Sequence, residues 1–385
     1  MPTILKIARR ELRRMASKPI YWFCMIAAPL FCFVFFTSLM AEGLPTDMPL
    51  GLVDNDNTTT SRSLARNLDA FEMTSIKEQY ANVTEAREAV QRGDIYGFYY
   101  IPKGTTRKAQ RQELPVVSFY TNYSYLVAGS LLYRDMRTMS ELASGAASRT
   151  VLYAKGTTER QAMAFLQPIV IDSHAINNPW LNYNVYLSNV ILPGLLMLFI
   201  FMVTVFSIGT EVKYNTVHDW LIMARGSMFH ALAGKLLPQT LIFFLIGIAF
   251  AIGLYVLHFP CHCGLPTMLL VMFLGIIGAQ GLGVFMFAML PTLRMSLSFA
   301  SLWGVISFSI CGMSYPVMAM HPTLQGLSLL FPLRHYFLLY VNCALDGYPL
   351  MNAAPYVVGL LLFALLPLLL LRRLKKMLLV VPYIP

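Results

Sequence analysis

Six long apolar runs divide this chain, and one long polar region separates the first run from the second. The runs lie at about 20–40, 185–208, 236–258, 267–290, 296–313 and 354–371. A helix of about 20 apolar residues crosses the hydrocarbon core of a bilayer. The pattern therefore predicts a polytopic α-helical membrane protein with six transmembrane helices. The first run is longer than the apolar core of a cleaved signal peptide, about 7–15 residues, so we expect it to be a retained anchor.

The polar region between the first two runs alternates short β-branched or aromatic stretches with helical patterns. Four stretches predict strands: PLGLVDND, IYGFYYIP, PVVSFYTN and PIVIDSHAI. The stretch NVTEAREAVQRGD predicts a helix capped by Asn82 and ended by Gly93, and residues 125–155 predict a long helix. About 140 residues are enough to bury a core. We therefore expect a small α/β domain between transmembrane helices one and two.

The composition fits this division, with 57% hydrophobic and only 12% charged residues. The formal net charge is +10, and much of the excess flanks the first and last apolar runs. These flanking residues are Lys6, Arg9, Arg10, Arg13, Arg14 and Lys18, then Arg372, Arg373, Lys375 and Lys376. Because Lys and Arg mark cytoplasmic flanks, we expect both termini in the cytoplasm and the α/β domain on the outer, periplasmic or extracellular side of a cell (inner) membrane. A basic face on a soluble fold, as nucleic-acid binding needs, is not indicated.

These expectations give a domain organisation. Residues 1–19 form a cytoplasmic amphipathic helix, 20–40 transmembrane helix one, 41–183 the extracytoplasmic α/β domain, 184–371 a five-helix transmembrane domain, and 372–385 a cytoplasmic tail. Within the five-helix domain, 209–235 is a cytoplasmic loop. Residues 314–350 are apolar but broken by proline and glycine, which predicts a re-entrant outer segment, because broken helices at membrane depth need protein or water around them.

The loop 209–235 is the most polar part of the five-helix domain. Its sequence, GTEVKYNTVHDWLIMARGSMFHALAGK, carries Glu211, Lys213, Asp219, Arg225 and Lys235. It ends in Gly-Lys, the pair that closes a phosphate-binding loop, but Leu follows where that loop needs Ser or Thr, and the preceding glycine is eight residues away. We therefore expect no ATP hydrolysis by this chain.

Other kinds of chemistry have weaker support in the sequence. The spacing of Cys261 and Cys263 differs from the C-x₂-C of zinc sites, so an ordinary loop is favoured over a metal site, and no cofactor is expected. The predicted span cores contain no Asp, Glu, Lys or Arg, which argues against proton-coupled transport. A G-x-S-x-G nucleophile elbow is also missing from the sequence. The glycine series from Gly275 to Gly283 indicates close helix packing.

Four stretches resemble the membrane subunit of a type-2 ABC exporter. They are the basic helix ILKIARRELRRMASKPIYWF, the segments MPLGLVDND and AREAVQRGDIYGFYYIPKG, the loop 209–235, and SICGMSYPVMAMHPTLQGLSLLFPLRHYF. In the loop, Glu211, Thr216, Leu221, Gly234 and Lys235 match, whereas Asn215 replaces the usual glycine and His218 the usual glutamate. In the last stretch, Gly312, Pro316, Met320, Pro322, Pro332 and Leu333 match, Cys311 replaces a serine, and His321 is an insertion.

The resemblance implies a permease subunit that moves a drug, lipid or other hydrophobic substrate outward, with energy from a separate ABC ATPase subunit. It implies that the loop docks on the ATPase through Glu211, Lys213, Thr216, Asp219, Trp220, Leu221, Arg225 and Lys235. It implies an outer gate at Gly312, Pro316, Pro322 and Pro332. Further partners would be membrane lipid, a second permease copy or paralogue forming a dimer, and a periplasmic adaptor protein with an outer-membrane channel.

Two other classes of protein are compatible with parts of the pattern. An α/β domain between two spans is also typical of a membrane-anchored sensor, but the sequence after the last span offers no output domain. A secondary transporter is disfavoured because span-buried charge and an internal repeat are both missing from the sequence. Association with an ATPase subunit would distinguish the exporter from both.

Overall fold

The computed structural model describes residues 2–111, 113–290 and 292–380. The described residues form two compact units. The membrane unit comprises Met1–Ala41 and Ala175–Pro385, and the α/β unit comprises Glu42–His174. Part of the predicted tail, residues 381–385, lies outside the described residues.

The elements follow in chain order. They are α1 Pro2–Ser17, α2 Pro19–Trp22, α3 Ala28–Leu39, β1 Met48–Asp54, α4 Thr59–Asp69, β2 Thr74–Gln79, α5 Val83–Arg92, β3 Gly97–Ile101, α6 Thr105–Gln110, β4 Ser118–Thr121, α7 Leu126–Ala154, α8 Glu159–Leu166, α9 Tyr183–Lys213, α10 Val217–Met223, α11 Met228–Val256, α12 Leu265–Met289, α13 Leu293–Ile310, α14 Pro322–Ser328, α15 Pro332–Tyr340 and α16 Ala354–Val380. Short π-helical segments join α2 to α3 and follow α15.

Six helical stretches of the described residues are long and apolar enough to cross a membrane. They are Pro19–Leu39, Tyr183–Lys213, Met228–Val256, Leu265–Met289, Leu293–Ile310 and Leu350–Val380. The prediction of a polytopic protein with six transmembrane helices is therefore confirmed. The segment 209–235 is less of a loop than predicted, because α9 continues to Lys213 and α11 begins at Met228, leaving only short turns on either side of α10.

Helix α12 lies at the centre of the membrane unit, packed against α9, α11 and α16. A Cβ atom built on Gly281 would lie 2.2 Å from the carbonyl oxygen of Phe363 on α16, and one on Gly278 would lie 3.1 Å from that of Leu360. These backbones approach so closely because neither glycine has a side chain. The glycine series in the fourth span is therefore a packing surface, as the sequence predicts.

The α/β unit contains a four-stranded sheet in the order β2-β1-β3-β4. Strand β1 is parallel to both β2 and β3, and β4 is antiparallel to β3. Alternate residues of β1 face opposite sides: Leu50 and Leu52 pack against α4 and α7, whereas Val53 packs on the α5 side. Both faces of the sheet are covered, so the unit has three layers.

Local signals in this unit are mostly confirmed, with two exceptions. Asn82 caps α5 by accepting a hydrogen bond of 2.9 Å from the Glu85 amide, and Gly93 ends the helix at φ +84°. The predicted strand PIVIDSHAI is wrong: it has no regular structure and pairs with no strand among the described residues. Strand β2 was not predicted, because its edge position leaves a polar sequence, TSIKEQ, largely in solvent.

Two carboxylates organise the loop at the end of β1. Asp54 is buried and accepts hydrogen bonds from the amides of Asp56 and Asn57. Asp56 accepts from the amides of Gly104 and Thr106 at 2.7 and 3.0 Å and from the Thr106 hydroxyl at 2.5 Å. Burial alone raises the pKa of Asp56, but the hydrogen bonds from Thr106 and Gly104 outweigh it and hold the pKa below its usual value.

Asp56→Asn is expected to loosen this loop at neutral pH by on the order of 1 kcal/mol, because an amide NH₂ cannot accept from donors and solvent screens the site. Because the pKa of Asp56 is lower in the folded state than in the unfolded state, its ionised carboxylate stabilises the fold at pH values above the unfolded pKa. This stabilisation is lost as the pH falls through the folded pKa. Hydrogen exchange at Gly104 and Thr106 should therefore be about fivefold faster in the variant at pH 7, and this difference should disappear as the pH falls through the folded pKa of Asp56. Asp94→Asn is the control; equal exchange in all three proteins at pH 7 would contradict the prediction.

Candidate functional site

The carboxylate of Glu211, near the end of α9, is fully buried and bound by three cations. Arg10 binds it with two parallel bonds, Nη1 to Oε1 at 2.9 Å and Nη2 to Oε2 at 3.0 Å. Arg14 Nη1 lies 2.5 Å and Lys235 Nζ 2.7 Å from Oε1. The hydroxyl of Thr216, before α10, donates to Oε2. One side chain thereby joins α1, α9 and α11 to the start of α10.

Lys235 lies on the first turns of α11 and is also fully buried. Its Nζ donates to Glu11 Oε2 at 2.8 Å as well as to Glu211, and it lies 4.9 Å from the centroid of the Trp220 ring. Trp220, on α10, is fully buried and donates its indole N–H to the Ala231 carbonyl at 3.2 Å. The face of α10 that carries Trp220 is therefore anchored on α11.

We call Arg10, Glu11, Arg14, Glu211 and Lys235 the charge cluster. It holds three cations and two anions, of which Glu11, Glu211 and Lys235 are fully buried and the two arginines partly exposed. Unpaired charges are costly in such a site. Burial alone lowers the pKa of Arg10, but hydrogen bonding to Glu211 and its negative charge outweigh this and raise the pKa. Arg10 therefore stays charged, and each charge of the cluster depends on its partners.

Gly234 explains how α1 reaches the cluster. A Cβ atom there would lie 2.7 Å from Ile7 Cβ and 2.9 Å from the Ile4 carbonyl oxygen, so any larger residue would push α1 away from α11. The Gly-Lys pair that resembles the end of a phosphate loop thus has a structural role. Glycine allows α1 to pack closely, and lysine donates hydrogen bonds to the carboxylates of Glu11 and Glu211.

The eight residues predicted to dock on an ATPase fall into two groups. Glu211, Trp220, Leu221 and Lys235 are buried within the chain, Thr216 is half-buried, and Lys213, Asp219 and Arg225 are exposed. Glu211 is among the residues expected to dock on the ATPase, and in this structure its oxygens bind Arg10, Arg14 and Lys235 of the same chain. The exposed surface of α10 also includes Ile222, whose side chain is 64% exposed, and His218.

The turns around α10 use left-handed backbone. Asn215 has φ +53° and Arg225 φ +54°, a conformation that Asn adopts more readily than most non-glycine residues. This accounts for Asn215 at a position where the resembling family has glycine. Gly226 follows at φ +74°, and its carbonyl accepts from Lys375 Nζ at 2.5 Å. The last turns of α16 therefore hold the end of this segment.

Arg10, Glu11 and Arg14 were not among the predicted site residues. The basic residues of α1 were used only to predict that the N-terminus is cytoplasmic. A discriminating signal exists in the sequence: Glu11 is the one acidic residue of α1, and it shares a helix face with Ile7 and Arg14. An acid inside a basic helix suggests a buried partner, although the sequence does not identify Lys235 as that partner.

The residues predicted as an outer gate lie in a separate region of the membrane unit. Gly312 has φ +106°, Pro316 precedes a 3₁₀ turn, and Pro322 and Pro332 begin α14 and α15. Phe331 stacks on Trp303 of α13 with centroids 4.5 Å apart. In the described structure, these four residues lie in one segment of short helices and turns. This segment is distant in sequence from the charge cluster.

The family model for ABC-2 family transporter proteins matches residues 19–372. The chain belongs to this family. As an ABC-2 permease it is a multi-pass transport subunit that works with an ABC ATPase subunit. It is also 25% identical to the linearmycin resistance permease protein LnrN of Bacillus subtilis (strain 168) over 345 residues, covering 82% of this chain and 84% of that protein. The ABC-2 permease has α10 where the sequence resemblance expects the ATPase contact.

Proposed function

We propose that this permease subunit exports a hydrophobic substrate across the cell (inner) membrane, using ATP hydrolysed by a separate ABC ATPase subunit. The observation that carries the proposal is the construction of α10. Its inner face is anchored by Trp220, its outer face exposes Asp219 and Ile222, and the exposed Arg225 follows in the next turn. A short helix fixed on one side and exposed on the other is suited to receive a partner's motion.

The docking surface that we propose is the exposed face of this segment. It consists of Lys213, Asn215, His218, Asp219, Ile222 and Arg225. Both signs of charge surround one exposed isoleucine, an arrangement typical of an apolar anchor with a polar rim. Glu211 and Lys235 support this surface from below, and the ATPase does not contact them.

The charge cluster is the proposed route of transmission. A displacement of α10 reaches α9 through Thr216 and Glu211, α11 through Trp220 and Lys235, and α1 through Arg10. Because these bonds converge on two buried carboxylates, the four helices move as a group. ATP binding in the partner would thereby reorient the cytoplasmic ends of three membrane-associated helices together.

The sidedness and assembly form part of the same proposal. Both termini and α10 face the cytoplasm, the α/β unit faces the periplasm or exterior, and two subunits enclose the substrate path as a homodimer or a pair of paralogues. The broken segment at Gly312, Pro316, Pro322 and Pro332 acts as the outer gate. The α/β unit offers a surface for an adaptor protein that leads to an outer-membrane channel.

The substrate class rests on chemistry and on one relative. LnrN is named as a resistance permease, and resistance is consistent with removal of a harmful compound from the cell. A drug, a lipid or a similar amphiphile is therefore proposed, rather than a polysaccharide. This chain supplies the path and contributes no ATPase site of its own.

Purification of the tagged protein from its own membranes in mild detergent tests the proposal. An ABC ATPase subunit should co-purify, and inside-out vesicles should take up a fluorescent amphiphile only with hydrolysable ATP. A Lys→Ala change in that ATPase's phosphate loop is the control. Uptake that persists without ATP but collapses with an ionophore would indicate a secondary transporter, and a chain without ATPase or uptake would favour a sensor.

A further inference from the structure

The last helix continues well beyond its apolar run. Residues 354–371 of α16 are apolar, and at 1.5 Å per residue they span about 27 Å, close to the thickness of the hydrocarbon core. Arg372 and Arg373 follow at once, and Lys376 lies one turn further along the same helix. A span over residues 354–371 places these cations at the depth of the lipid headgroups.

The two faces of this extension differ. On one face Leu374 and Leu378 are buried in the bundle, and Lys375 holds the carbonyl of Gly226. On the other face are the exposed side chains Arg372, Arg373 and Lys376, which with Met377 and Val380 line an open cavity of about 400 Å³. We call this cavity the α16 groove.

The α16 groove contains uncompensated positive charge. Among the described residues, Arg372, Arg373 and Lys376 have no acidic partner within ion-pair distance. Leu369, which is 79% exposed, lies one turn before them toward the membrane centre. Three cations with an apolar side chain on their membrane side match the order of groups in a phospholipid.

We propose that the α16 groove binds an anionic phospholipid of the surrounding bilayer. The phosphate group lies between Arg372, Arg373 and Lys376, and an acyl chain lies along Leu369. Guanidinium groups form strong charge-assisted hydrogen bonds to phosphate oxygens, and basic residues next to a span attract anionic lipid. A zwitterionic lipid brings its own cation to the site and is bound less well.

Occupancy of the groove has a consequence for the docking segment. Lys375, between the groove residues, holds Gly226 at the turn between α10 and α11. A lipid that orders the last turns of α16 therefore also orders this turn. The binding itself does not depend on the proposed export function, because it is a property of the permease chain alone.

Native mass spectrometry of the full-length chain released from nanodiscs tests the proposal, with phosphatidylglycerol and phosphatidylcholine at equal content. Wild type should retain phosphatidylglycerol at least tenfold over phosphatidylcholine, and R372Q/R373Q/K376Q should reduce this preference to about twofold. K6Q/R9Q/R13Q is the matched control, because it removes three exposed cations of α1 at the same end of the bundle. It should keep the wild-type preference.

An unchanged preference in the α16 variant, or an equal loss in both variants, would overturn the site in favour of general surface attraction. If the triple variant does not fold, the single change Lys376→Gln should still lower the preference severalfold. Excess inorganic phosphate should not displace phosphatidylglycerol; displacement would mean that the groove takes free phosphate rather than lipid.

Discussion

Lys235→Met is expected to lower the free energy of unfolding of the membrane unit by about 3–5 kcal/mol, the cost of breaking a buried ion pair by removing one partner. Glu211 retains Arg10 and Arg14 in this variant, but Glu11 loses the cation that binds its Oε2. The other oxygen of Glu11 is also buried, with no hydrogen-bond partner among the described residues. An uncompensated carboxylate would then remain between α1 and α11.

The measurement is an unfolding titration with SDS in mixed micelles, followed by near-UV circular dichroism. Arg13→Met is the matched control, since Arg13 is an exposed cation of α1, the helix that carries Glu11, and its loss should cost less than about 0.5 kcal/mol. The double variant E11L/K235M removes both charges and should recover most of the lost stability. A double variant no more stable than Lys235→Met would contradict the role of Glu11.

This variant should also impair transport. Arg10 still ties α1 to Glu211 in this variant, but α11 loses its bonds to Glu11 and Glu211. The motion of α10 therefore reaches α11 less completely, and ATP hydrolysis continues with little substrate movement. Transport per folded chain in inside-out vesicles is therefore expected to fall at least tenfold, with a smaller change in hydrolysis. A proportional fall in both activities would indicate loss of folded protein rather than loss of coupling.

Ile222→Asp is expected to weaken binding of the co-purifying ATPase subunit about 30-fold. The side chain is 64% exposed at the centre of the proposed docking surface, and a central apolar anchor contributes about 2 kcal/mol or more to an interface. Because Ile222 does not lie in the bundle core, the stability of the permease should be unchanged. The binding measurement is surface plasmon resonance with the permease in nanodiscs.

Ile171→Asp is the control for this prediction, because Ile171 is also exposed, at 85%, and lies in the α/β unit. It should bind the ATPase as wild type does. Asp219→Lys and Arg225→Glu should weaken binding by smaller factors, since exposed charges at a rim contribute less. Wild-type affinity in all of these variants would remove α10 from the interface and leave the charge cluster as a purely structural element.

The two predictions distinguish residues that stabilise the docking surface from residues that contact the ATPase. Lys235 and Glu211 act inside the chain, so their loss should change stability first and docking second. Ile222 acts at the surface, so its loss should change docking alone. The sequence resemblance groups all eight residues as one docking motif, and the structure divides that motif by burial.

The local sequence was sufficient for the six transmembrane helices, for the capped helix Val83–Arg92 and for three of the four strands. Each depends on neighbouring residues: an apolar run long enough to span lipid, Asn82 before a helix, or alternation along a strand. It was not sufficient for PIVIDSHAI and for β2, because a strand exists only where a partner strand is available, and pairing is a property of the whole sheet.

The charge cluster shows the same limit at the candidate site. Arg10 and Glu211 are separated by 201 positions along the chain, and Glu11 and Lys235 by 224. The sequence pattern predicts a basic helix at the cytoplasmic flank and a polar cytoplasmic loop. Neither prediction requires the two segments to meet. Their meeting depends on the packing of α1 against α11, which requires Gly234 and a bundle already formed. Only the tertiary structure therefore shows which buried charges pair.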